Sequence, residues 1–129
     1  MNKQTPGAIA WIDLTVKDAP AIRDFYANVT GWTAAGVPMG DYEDFCMNAE
    51  GGQTVSGICH ARGENRHMPP VWMIYILVED LDSAIERCLA GGGKVRVPTR
   101  SMGSQGRYCV IEDPAGAMAA LYEPLEEVA

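Results

Sequence analysis

Basic charge, histidine and long apolar runs are what this 129-residue sequence has least of. Ten Lys and Arg stand against 17 Asp and Glu, a net charge of −7. Nucleic acids and anionic membrane surfaces are recognised through a basic footprint, so neither is expected as a partner. The longest apolar run, Val71 to Val78, is eight residues, far short of the ~20 that span a bilayer. Met1 to Gly7 is polar and lacks the apolar stretch of a signal peptide. The four cysteines, Cys46, Cys59, Cys88 and Cys109, show no CxxC spacing. Without a secretion signal they are expected as buried reduced thiols, and the implied setting is cytoplasmic. Gly91-Gly92-Gly93 follows a helix-like segment and lacks a GK[ST] ending, which excludes a phosphate loop. Ser101 and Ser104 have no neighbouring His–Asp pattern, so nucleophilic hydrolysis has no support. The two histidines, His60 and His67, have no partner at metal-ligand spacing and are expected to be solvated loop residues.

What is present is an internal repeat. Trp11-Ile12-Asp13-Leu14-Thr15-Val16-Lys17-Asp18 is answered by Met73-Ile74-Tyr75-Ile76-Leu77-Val78-Glu79-Asp80, an offset of 62 residues. Gly31-Trp32 is answered by Gly93-Lys94 at the same offset, and Phe45-Cys46-Met47 by Tyr108-Cys109-Val110 at 63. A repeat at a fixed period reports the architecture of a whole chain. Each copy reads as a βαβββ unit with an open sheet that cannot cover its own apolar face. The two units are therefore expected to pair, with a ligand site in the cleft between them. The resulting class is α+β: one domain over 1–129, with repeats at 8–60 and 71–124 and a polar linker at 61–70.

The patterning supports each element. Ile12, Leu14 and Val16 alternate with Trp11, Asp13 and Thr15, the period of a strand with two differently used faces. Asp18 suits a helix N-cap and Pro20 the first turn, with Ile22, Phe25, Tyr26 and Val29 spaced three and four apart until Gly31. Strands are expected at 32–37, 41–49 and 54–59. In the second copy a strand at 71–78 leads into a helix at 81–90, with Leu81, Ala84, Ile85, Cys88 and Leu89 inward. Strands at 94–98, 106–111 and 118–122 complete the copy.

Leu14-x-Val16-x-Asp18, followed by Phe25-Tyr26, Gly31-Trp32 and, before the last strand, Asp113-Pro114-Ala115-Gly116, resembles the vicinal oxygen chelate superfamily. That group includes glyoxalase I, the bleomycin resistance proteins and the extradiol dioxygenases, and the resemblance spans about residues 8 to 124. It implies the curved mixed sheet of the glyoxalase/bleomycin resistance fold, and dimers as a common assembly. In the family's enzymes it also implies a divalent metal at four positions, one on the first and one on the last strand of each half. Carried over, these are Trp11, Gly57, Met73 and Ala120. Indole N–H only donates, glycine and alanine have no ligating side chain, and a thioether is too soft for hard cations. A one-residue register shift brings in Ile12, Ser56, Ile74 and Leu121, which are no better. A two-residue shift brings in Asp13 and Tyr75, of which only one is a plausible ligand. The expectation is therefore no metal and no cofactor.

The expected ligand face comprises Trp11, Asp13, Gly57, Met73, Tyr75, Tyr108, Met118, Ala120 and Tyr122. Aromatic and thioether groups with a few polar tips suit a small-molecule pocket. Either Phe45 with Met47 or Tyr108 with Val110 adds to this face. Gly57 and Ala120 either make room for a ring, or Trp11 fills that room itself. Asp13 is the one candidate catalytic residue, a carboxylate that desolvation would convert into a base. Binding a ligand donor and a purely structural role are its alternatives. The leading expectation is a metal-free protein that binds a small, partly aromatic molecule, as a homodimer. The alternative is a glyoxalase-related enzyme, a lyase, isomerase or dioxygenase-like protein, with a non-standard site. The halves pair either within one chain or between two.

Overall fold

The computed structural model describes residues 5–125. The polar-leader reading therefore falls partly outside the described residues. The elements run β1 (Ile9–Val16), α1 (Ala19–Thr30), β2 (Thr33–Pro38), β3 (Glu43–Asn48), β4 (Thr54–His60), β5 (Trp72–Leu77), α2 (Leu81–Ala90), β6 (Lys94–Ser101), β7 (Arg107–Glu112) and β8 (Met118–Glu123). Two βαβββ copies follow one another, which is the α+β organisation the repeat predicts. The chain divides into two compact units: Trp11–Trp72, and 5–10 with 73–125.

In the first unit the strand order is β2-β3-β4-β1, with β1 parallel to β4 and antiparallel pairing elsewhere. Helix α1 starts where Asp18 accepts the amide of Ala21 at 3.2 Å, and it stops at Gly31. Under it lie Ala19, Phe45, Met47 and Ile58, all buried, with Val16, Ile22, Tyr26, Trp32 and Trp72 packed against them. The expected helix stripe is only half used, because Phe25 and Val29 are 55% and 62% exposed. Trp72 joins this core from 46 residues away, its indole N–H donating to the Tyr26 hydroxyl at 3.2 Å.

The second unit repeats the plan, in the order β5-β8-β7-β6, with β5 parallel to β8. The main chain of Gly7 and Ala8 hydrogen-bonds to Leu77. Leu81, Cys109 and Leu121 form the buried centre under α2, supported by Ile76, Val78, Ala84, Ile85 and Ile111. Leu89, expected inward, is 55% exposed and lies in the last turn of α2. Strand β6 runs three residues beyond its expected end at Pro98. Register shifts between Val95 and Arg100 let it pass the proline, whose missing N–H is tolerated on an edge strand. The symmetry reaches the ladders: Asp13 pairs with Gly57 in the first unit, and Tyr75 with Ala120 in the second.

Candidate functional site on the helix-free faces

Because side chains alternate along a strand, the strands of each unit have one face under their helix and one face away from it. Phe45 and Met47 pack under α1, so the open question of their direction is settled away from the candidate face. Cys109 and Ile111 pack under α2, which turns Tyr108 and Val110 to the other side.

The first unit's helix-free face holds Trp11, Asp13 and Gly57. The Trp11 indole N–H donates to Asp13 Oδ2 at 3.3 Å. A Cβ added at Gly57 would lie 3.1 Å from Trp11 Cζ2 and 3.4 Å from Asp13 Cβ. The indole therefore occupies the space over the glycine, and no room for a ring opens there. Cys59 stands on the same face. Burial, then the Asp13 and Asp44 carboxylates, push its thiol strongly up. It stays protonated, and nucleophilic thiolate chemistry is not available to it.

His60 corrects the reading of a solvated loop residue. It ends β4, and both its main-chain N–H, at 2.9 Å, and its Nδ1, at 3.1 Å, meet Asp44 Oδ1. The side chains of both residues are mostly buried, at 16% and 14% exposed. Its ring also packs 5.2 Å from that of Tyr42. The linear sequence carries no signal for this, because sixteen residues and a hairpin separate the partners. His67, by contrast, is exposed.

The second unit's helix-free face collects the remaining six expected residues. Strand pairing sets Tyr75 beside Ala120, Ala120 beside Val110, and Tyr108 beside Tyr122. Met73 and Met118 share the face by alternation along β5 and β8. Met73 and Ala120 are closed off from solvent and Tyr75 nearly so, so Ala120 opens no space either. Tyr108, Met118 and Tyr122 are half-buried and form the accessible part. The Tyr75 and Tyr108 ring centroids are 5.9 Å apart at 50°. Arg100, opposite Tyr108 in the register, places Nη1 3.5 Å from its hydroxyl.

The four positions that the resemblance assigns to metal ligands fall in equivalent places in the two units. Trp11 and Gly57 lie on neighbouring strands β1 and β4, and Met73 and Ala120 on β5 and β8. Their side chains do not fit a divalent cation, and among the described residues no group of three or more His, Cys, Asp or Glu stands close enough to hold one. Nor is any described helix long and apolar enough to cross a membrane.

A polar cluster outside these faces ties β7 and β8 to α2. Glu123 accepts from Arg107 Nε at 2.8 Å and from the main-chain N–H of Leu81, the first residue of α2, also at 2.8 Å. The Arg107 guanidinium is the main cause that holds the Glu123 carboxyl below its ordinary range, and the carboxylate in turn raises the guanidinium.

Comparison with known proteins agrees with this architecture. Residues 8–121 match the model of the Glyoxalase/Bleomycin resistance protein/Dioxygenase superfamily. A protein described as putative glyoxylase CFP32, from Mycobacterium bovis, is 34% identical over 91% of this chain and 46% of its own length. The anthracycline biosynthesis protein DnrV of Streptomyces peucetius is 32% identical over 95% of this chain and 49% of its own. The chain thus spans about half the length of the curated relatives it matches. Among solved structures, methylmalonyl-CoA epimerase from Mycobacterium tuberculosis is similar with a TM-score of 0.55 at 17% identity, over 89% of this chain and 86% of that one. The Mn(II)-bound glyoxalase from Novosphingobium aromaticivorans gives 0.58 at 18%, over 96% and 42%. At such identities the structures speak for the fold alone. The chain belongs to the Glyoxalase/Bleomycin resistance protein/Dioxygenase superfamily.

Proposed function

We propose that this protein binds a small, partly aromatic molecule on a helix-free face, without the divalent metal that the family resemblance implies. The observation that carries this reading is the donor set. Trp11, Gly57, Met73 and Ala120 stand in equivalent places of the two repeats, and none of the four offers a hard ligand. Tyr75, Tyr108, Met118 and Tyr122 supply aromatic and thioether surface on the second unit's face, and on the first the Trp11 indole N–H donates to Asp13. The relative named for anthracycline biosynthesis supports a planar aromatic ligand class. The proposed protein is a cytoplasmic homodimer. An apolar hollow of about 280 Å³, lined by Leu14, Ile22, Phe25, Tyr26, Val71 and Trp72, supports the association by offering a face for a second copy.

The second reading is a glyoxalase-related enzyme with a non-standard site. The relatives described as putative glyoxylase favour it, and Asp13 is its candidate base. Metal content of the purified protein, with thermal shift on adding nickel, zinc, manganese or iron(II), separates the two. The binding reading expects no bound metal and no stabilisation. A stoichiometric metal, or a rise of several degrees with one ion, overturns it. Light scattering on the same sample checks the dimer by its mass.

A further inference from the structure

The tyrosine hydroxyls on the second unit's helix-free face are not equivalent. Tyr122 donates its only hydroxyl proton to the carbonyl oxygen of Gln105 at 2.5 Å, which also fixes its ring. Tyr108 faces Arg100 Nη1 at 3.5 Å. A guanidinium has donors and no acceptor, so in this contact the Tyr108 oxygen accepts and its own proton is left to donate. The contact is long and orients more than it binds. Strand pairing sets Arg100 opposite Tyr108 and Tyr108 opposite Tyr122. One guanidinium and two phenol rings therefore stand in a row across β6, β7 and β8, each half-buried. Planar groups in a row on a sheet offer aromatic contact to a flat ligand, and the Tyr108 hydroxyl lies at the centre of that row.

We infer that the ligand is an oxygenated planar aromatic, a ring system bearing a carbonyl or phenolate oxygen. It lies on the Tyr108–Tyr122 row and accepts the Tyr108 hydroxyl proton. Arg100 is the positioning residue that turns that proton outward. This rests on the aromatic-ligand reading above and adds to it the ligand's polar group and the residue that recognises it.

The test uses alizarin, a hydroxyanthraquinone whose visible absorption responds to hydrogen bonding and ionisation, titrated into the whole protein. Wild type is expected to bind it and shift its spectrum. Y108F should weaken binding roughly tenfold, the effect of one lost directed hydrogen bond, and abolish the spectral shift with the melting temperature little changed. R100M should reduce the shift, and R100K should restore it in part, which a merely structural arginine would not do. Should Y108F not fold, the R100M and R100K pair carries the test alone. If the variants bind alizarin with the wild-type affinity and spectrum, the inference is wrong while the aromatic-ligand reading stands. If wild type binds neither alizarin nor an aromatic without oxygen such as naphthalene, both fall. If it binds the latter equally well, only the inference falls.

Discussion

Gly106 immediately precedes β7, the strand that carries Tyr108, and replacing it with alanine tests whether this backbone is as constrained as it looks. Its φ of +116° and ψ of −143° lie in a region that L side chains rarely adopt, a strain of about 1–3 kcal/mol for a non-glycine residue. A Cβ there would also collide with the carbonyl oxygen of Glu123 and lie 2.8 Å from Pro124 Cα. Both are main-chain atoms, on β8 and just beyond it, and neither can move as a side-chain tip can. Overpacking of that kind adds about 1–3 kcal/mol. Taking the two together, G106A should destabilise by about 4 kcal/mol, a large part of the 5–15 kcal/mol that holds a typical domain together. For a chain of this length that corresponds to a fall in Tm of roughly 15 °C. Urea denaturation measures it, with G116A as the internal control. Gly116 has a similar φ of +90° but nothing within 4 Å of an added Cβ. G116A should therefore cost only the backbone strain, about 1–2 kcal/mol. A G106A loss no greater than that of G116A would refute the argument from main-chain contact.

Two further outcomes follow from the charged and buried groups. Glu123 has a folded-state pKa below its ordinary value, so it contributes stability above about pH 4.3 that is lost as pH falls through the depressed value. E123Q should cost about 1 kcal/mol at pH 7, discounted for solvent screening. The difference between the two proteins should shrink as pH falls below the ordinary carboxylate range and through the depressed value, and a difference that stays constant throughout acid titration would contradict the assignment. Cys109 is fully buried, and burial pushes its thiol up to about 11. A disulfide reagent such as Ellman's should label it in the native protein at pH 8 only at the rate of unfolding, and labelling within seconds without denaturant would contradict that.

Much of the fold was legible because the repeat and the alternation record burial directly. Ile12-x-Leu14-x-Val16 turns one way since a strand has period two, and Asp18, Pro20 and Gly31 mark helix ends by local backbone chemistry. Element ends were less readable. Strand β6 passes Pro98 because it lies on an edge and shifts register, which alternation alone does not reveal. The helix stripes overstated burial at Phe25, Val29 and Leu89, since an apolar spacing tells what a helix can bury and not how far the sheet beneath it extends.

For the candidate site, alternation made the residues that share a face along one strand legible, such as Trp11 with Asp13, whereas the facing of Phe45, Met47, Tyr108 and Val110 came only from packing under the helices. The 62-residue offset and the family resemblance put Trp11 with Gly57 and Met73 with Ala120, and excluded hard donors at all four positions. Only the tertiary structure decided which of those residues are open. Trp11 fills the space over Gly57, Ala120 is closed, and the accessible part is Tyr108, Met118 and Tyr122. It also decided that His60 is held by Asp44 and that Tyr26 meets Trp72. The physical reason is the same in each case. Sharing a face along one strand is a local property set by the strand's period, whereas occupancy and hydrogen-bond partnership depend on side chains brought together from distant parts of the chain.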